Sequence, residues 1–84
     1  MNILEEANKI TSTIKREEYG SPRENVNRIR QIASAILGRE LTNDDIMAVM
    51  LSVKLSRQMH QHKRDNLVDI AGYAWVWSQM YTEE

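Results

Sequence analysis

The sequence predicts an all-α fold, a small four-helix bundle. Three observations carry that expectation. Apolar residues recur at helical spacing in four separate stretches. Only one Pro and three Gly stand in 84 residues to interrupt them. The gaps between the stretches hold cap and turn residues. At this length a single helical domain, residues 1–84, is the expectation.

The first helix is expected over residues 2–17. Ile3, Ala7, Ile10 and Ile14 fall on one helical face. Asn2 can cap its start, and Glu5 and Glu6 suit the positive end of the helix dipole. Thr11, Ser12 and Thr13 weaken its middle. Tyr19-Gly20-Ser21-Pro22 is the clearest break in the chain. Gly20 can end one helix, while Ser21-Pro22-Arg23-Glu24 is a capping box with Pro at the first helical position. The second helix then spans 22–37, with Val26, Ile29, Ala33 and Ile36 as its apolar stripe and Gly38 as its C-cap.

Thr42 caps a third helix over 43–60, with Asp44 and Asp45 in its first turn. Ile46, Met47, Val49, Met50, Leu51, Val53 and Leu55 cover nearly its whole circumference. A helix apolar all round is buried on several sides, which in so short a chain points to a partner subunit. His60 to Arg64 form a polar, basic connector, and Asp65 or Asn66 caps a fourth helix over 66–81. Leu67, Ile70, Ala74, Trp77 and Tyr81 make its stripe. The surplus apolar surface of helices three and four predicts a homo-oligomer formed through them. A solitary core would be marginal, because a chain this short buries only about 60% of its unfolded surface.

Composition narrows the function classes. Net charge is −1 and the pI about 6.1, which makes nucleic acid an unlikely partner, since backbone binding needs surplus Lys and Arg. There is no Cys, which fits a reducing compartment. No run of about 18 apolar residues is present, so no membrane span is expected. MNILEEANK lacks the basic and apolar regions of a secretion signal.

The charged residues set inside apolar sequence are the candidate site. Lys54 and Arg57, three apart, follow the apolar run of helix three. A Lys point charge beside an Arg fork suits a phosphate; the alternative is that both pair with Asp65 and Asp69 across a helix interface or snorkel to water. Asp65, Asp69 and Tyr73 recur at intervals of four on one face of helix four. Two carboxylates one turn apart can share a divalent cation only with further oxygen ligands; otherwise they are a cap and an ion pair. The YGSPREN stretch offers a helix N-terminus with Arg23 beside it, either an anion site or simply a well-made turn. Tyr19 in that polar loop suggests base stacking or a subunit contact. Trp75 and Trp77 point to different sides of their helix, one toward the bundle and one toward a partner. His60 and His62 have neither the spacing nor the Cys company of a zinc site.

KREEYGSPRENVNRI, the apolar helix ending VKLSR, and DNLVDIAGY together resemble a family of short phage and prophage proteins. That family is in turn distantly similar to the all-α MazG-like nucleotide pyrophosphohydrolases, helical oligomers that hold Mg²⁺ between two acidic helices and cleave nucleoside triphosphates. The resemblance puts Asp65 and Asp69 on the second acidic helix. Where the first would carry paired Glu, this chain has Lys54 and Arg57, and Asp44 and Asp45 lie at the far end of that helix. With half the metal cage replaced by cations, phosphate binding is favoured over hydrolysis.

The expectation is therefore a non-catalytic, oligomeric phage protein, cytoplasmic in the infected host and without a resident cofactor. It would bind a small nucleotide-like ligand between subunits, with Lys54, Arg57 and Arg23 on phosphate and Tyr19, Tyr73 or a Trp on a base. Sequestering a host nucleotide immune signal is its anticipated purpose, by analogy with other phage proteins of this size. One alternative is an Mg²⁺-dependent pyrophosphohydrolase using Asp65, Asp69 and Glu17 or Glu18. Another is an adaptor that inhibits a host enzyme through the apolar surface of helices three and four.

Overall fold

Four side chains, Val26, Ile46, Met47 and Val76, form the buried centre on which three helices converge. The computed structural model describes residues 1–10 and 21–81 of the chain, and among these the architecture is all-α with four helices. They are α1 (Ile3–Lys9), α2 (Pro22–Leu37), α3 (Asn43–His60) and α4 (Arg64–Gln79). Helix α4 packs against α3 and against α1, and α2 lies mainly on α3. Among the described residues no helix is long and apolar enough to cross a membrane. The expected continuation of the first helix to residue 17, and the residues Glu17, Glu18 and Tyr19, lie outside the described residues.

The helix starts follow local chemistry. Asn2 accepts from the Glu5 amide at 2.8 Å, and Ser21 Oγ accepts from the Glu24 amide at 3.1 Å ahead of Pro22. At α3 the Thr42 hydroxyl accepts from the Asp45 amide at 3.1 Å, and the Asp45 carboxylate accepts from the Thr42 amide at 2.9 Å. This reciprocal box satisfies two donors that the first helical turn leaves orphaned. Gly38 takes φ 70°, the left-handed conformation that ends α2, and the Gly38 and Arg39 amides both donate to the Ser34 carbonyl. Ser34 Oγ then accepts from the Leu41 amide at 3.0 Å, which holds the short link into α3.

Helix α4 departs from expectation in two ways. It begins at Arg64 and ends at Gln79, not 66 and 81, and neither Asp65 nor Asn66 caps it. Lys63 occupies the cap position with no side-chain cap bond. Gln58, from the end of α3, holds the turn instead: its Oε1 accepts from the Lys63 amide at 3.2 Å and from Asn66 Nδ2 at 3.4 Å. Asn66 is thereby drawn into the fold and buried. The buried row of α4 is Val68, Gly72 and Val76, not the predicted stripe of larger residues, of which Trp77 is half-buried while Ala74 and Tyr81 are exposed. This Val–Gly–Val strip lies on the helix against which α1, with its buried Ala7, packs. Ile36 is likewise exposed, although Val26, Ile29 and Ala33 meet the core as expected.

Helix α3 is only half covered within the single chain. Ile46 and Met47 are buried, whereas Val49, Val53 and Leu55 are exposed. The two Trp residues do diverge: Trp77 packs against the core and Trp75 is exposed.

Asp44 has a larger role than a dipole-matching residue. It accepts from Trp77 Nε1 at 2.7 Å and from the Tyr81 hydroxyl, which ties the start of α3 to the end of α4. The Tyr81 bond, then the Trp77 bond, hold the Asp44 carboxyl below its ordinary value of 3.8. The same carboxylate raises Tyr81 above 10.0. Both shifts favour the charged Asp44 and the neutral Tyr81. The link therefore stabilises the fold above the unfolded carboxylate pKa and fades as pH falls through the lower folded value. At the alkaline end it is present below pH 10.0 and fades as pH rises through the raised folded value of Tyr81.

Two outcomes follow from this packing. Met47 is 0% exposed, so Met47→Ala should cost about 2–5 kcal/mol. That is a large share of a small domain's stability, and thermal unfolding should lose its cooperative step or shift sharply downward. Asp44→Asn should bring the Tyr81 component of the tyrosinate absorbance titration down toward 10.0, read as a difference from the parent chain; an unchanged titration would mean that the link does not form in solution.

Candidate functional site

Helices α3 and α4 run antiparallel from their shared turn, and charged residues meet in the groove between them. Lys54 Nζ lies 2.7 Å from Asp69 Oδ2, with the two side chains only 17% and 31% exposed. An ion pair so far removed from water gains little net stability, since desolvation offsets the attraction. The pair stands on the wall of a cleft of about 320 Å³. Val26, Met47, Met50 and Val76 make that cleft largely apolar. Asn25 and Tyr73 add polar atoms to its lining.

A second depression, of about 510 Å³, lies nearer the α3–α4 turn. Arg57, His60 and Lys63 line it together with Ser56, Gln61 and the buried Asn66, and no carboxylate is among those six. Along α3, Arg57 is about 4.5 Å further toward the turn than Lys54. Along α4, Asn66 is one turn before Asp69. The Lys54–Asp69 pair thus lines an apolar cleft, about one helical turn along α3 and α4 from a cationic depression.

The expected site residues divide accordingly. Lys54, Asp69 and Tyr73 come together at the cleft. Arg57 does not join them, because residues three apart on a helix differ by about 60° in direction, and it faces the depression at the turn. Asp65 is exposed in the first turn of α4 and makes no part of the Lys54 pair. Arg23 lies elsewhere: its guanidinium donates to the Met80 carbonyl at 3.2 Å, at the C-terminal end of α4, where a cation matches the helix dipole. Lys54, Arg57 and Arg23 therefore do not converge as one phosphate-binding group. Opposite charges from the two helices meet within one chain, so the cleft is built without a second copy.

His60, Lys63, Asn25 and Asn66 were missed as site residues. The basic HQHKR connector signalled two of them, but the register that aims His60 and Lys63 at one depression depends on the Gln58 contacts across the turn. His62 instead has its Nδ1 2.6 Å from Gln58 Nε2. Among the described residues, no three His, Asp or Glu side chains are placed to hold a metal ion. Among the described residues, Asp69 pairs with Lys54 and Glu6 with Arg64.

Comparison with known proteins places the chain without assigning a role to the cleft. A family profile described as a domain of unknown function (DUF6378) matches residues 2–81. The Gene 55 protein of Mycobacterium phage L5 is 36% identical over 86 aligned residues, and the Gene 55 protein of Mycobacterium phage D29 is 34% identical over 83. These alignments take in 100% and 98% of this chain but 55% of each relative, so the chain spans about half the length of the curated relatives it matches. No solved structure matches it. The similarity to MazG-like pyrophosphohydrolases has no counterpart in these matches. With a profile that covers all but the first residue and the last three, the chain belongs to the DUF6378 family, with relatives among phage proteins.

Proposed function

We propose that this chain binds a small nucleotide-like, phosphate-bearing ligand along the α3–α4 groove. The observation that carries the reading is the Lys54–Asp69 pair, largely removed from water on the wall of an apolar cleft and about one turn from a cationic depression. Charges kept in such a place without a stability gain suit recognition. A ligand with a flat heteroaromatic part and an anionic part matches both halves. The ring would enter the cleft against Met50 and Tyr73, and the Lys54 ammonium and Asp69 carboxylate would offer it a donor and an acceptor. The phosphate would lie toward Arg57, His60 and Lys63. At about 320 Å³ the cleft is at the small end of ligand sites, which fits one ring system and not a folded peptide.

Phage relatives make sequestration of a host nucleotide signal the purpose we favour. The groove needs no metal for binding. Asp69, the one acid lining it among the described residues, pairs with Lys54, which favours a binding surface over a hydrolytic centre.

Calorimetry of the purified chain against linear and cyclic nucleotides tests the reading. Binding in the micromolar range is expected, weakened at least about tenfold by Lys54→Ala and by Arg57→Ala, the order of one lost charge-assisted hydrogen bond. No binding below about 1 mM for any nucleotide tested would end the proposal. Mg²⁺-dependent pyrophosphate release that is lost in Asp69→Asn would replace it with hydrolysis.

A further inference from the structure

The outer face of α3 carries no charge over three turns. Ala48, Ser52 and Ser56 run along its centre at intervals of four, all exposed. Val49 and Val53 border this line on one side, 62% and 42% exposed, and Leu55 and Met59 on the other, 47% and 87% exposed. A solvated helix face ordinarily interleaves charges with its apolar residues. Here they stand only at the ends: Asp44 and Asp45 at the N-terminus, Arg57 and His60 at the C-terminus.

We infer that this face binds the same face of a second copy, with the two α3 helices antiparallel about a two-fold axis through Ser52. Charge selects the occupant and its direction. Antiparallel pairing sets the acidic end of one helix beside the basic end of the other and opposes their dipoles; parallel pairing would bring like charges together. The face is self-complementary, as a two-fold interface must be. Small residues down its centre allow the axes to approach to about 8 Å, and a shallow crossing near 20° keeps the charged ends side by side. Val49 and Val53 of one copy then lie against the central line of the other. The Ser52 hydroxyl already donates to the Ala48 carbonyl at 2.7 Å, so its burial leaves no unmet polar group.

The inference moves the association surface away from α4. That helix exposes only Trp75 and Tyr81 among its large apolar side chains and the residues that follow it, while the outer face of α3 exposes four. It shares Ser56, Arg57 and His60 with the depression of the ligand reading, but Lys54 faces the cleft and not this surface, so Lys54→Ala tests the ligand reading alone. The core of the single chain is correspondingly small, with six buried apolar side chains among the described residues.

Sedimentation velocity of the full chain, from about 1 to about 500 µM, reads the association, since one helix face forms an interface at the small end of the range. The sedimenting mass should rise from 9.8 kDa toward twice that value. Ser52→Arg should hold the chain at the monomer mass with unchanged helical circular dichroism. The absence of Cys permits a geometric check under mild oxidation. Ser52→Cys should cross-link to itself, and Ala48→Cys should cross-link to Ser56→Cys while neither does so alone. A mass of 9.8 kDa at every concentration would overturn the inference, as would a dimer that tolerates Ser52→Arg. Ala48→Cys cross-linking to itself would show parallel pairing and overturn it equally.

Discussion

The molecule depends on the burial of Met47. This one side chain, fully enclosed, lies where α2, α3 and α4 meet, against Val26, Ile46 and Val76. Few other contacts are available to a chain of this size, because surface grows relative to interior as a domain shrinks. The three helices can share so small a centre only if their ends are held independently. The Thr42–Asp45 box, the Gly38 turn and the Gln58 contacts do that, each within a few residues of a helix end.

That arrangement decides where polar chemistry can reside. Met47 and Met50 face the same groove as Lys54, so the ion pair with Asp69 inherits an apolar floor. One turn further on, the groove leaves the core, and Arg57, His60 and Lys63 meet around a wetter depression. A gradient from apolar to cationic therefore runs along a single pair of helices. Arg23 and Asp44, which look equally available in the sequence, are drawn off to tie helix ends together, Arg23 on the Met80 carbonyl and Asp44 between Trp77 and Tyr81. The two faces of α3 are divided likewise: its inner side builds the core and the cleft, and its outer side is exposed and uncharged.

Membership of the DUF6378 family, and phage relatives about twice as long, frame these features without explaining them. The matched region corresponds to the whole of this chain, so the groove and the outer face of α3 both lie within what the relatives share in alignment.

The sequence alone determined the all-α class and, among the described residues, the bounds of two of the helices. Helices α2 and α3 span Pro22–Leu37 and Asn43–His60, as their caps and apolar spacing predict, because capping is a contact between residues three apart and is written locally. It also singled out Lys54, Asp69 and Tyr73, since charge within an apolar helix is visible as a break in pattern. What it could not determine was direction. Which cation Asp69 meets, that Asn66 turns inward to Gln58, that α4 buries Val68, Gly72 and Val76 instead of its bulkier stripe, and that Arg57 and Arg23 face away from Lys54 all depend on how helices are rotated about their own axes. That rotation is decided by packing among segments distant in the chain, where a few degrees shift every side chain on a face, and no local spacing records it.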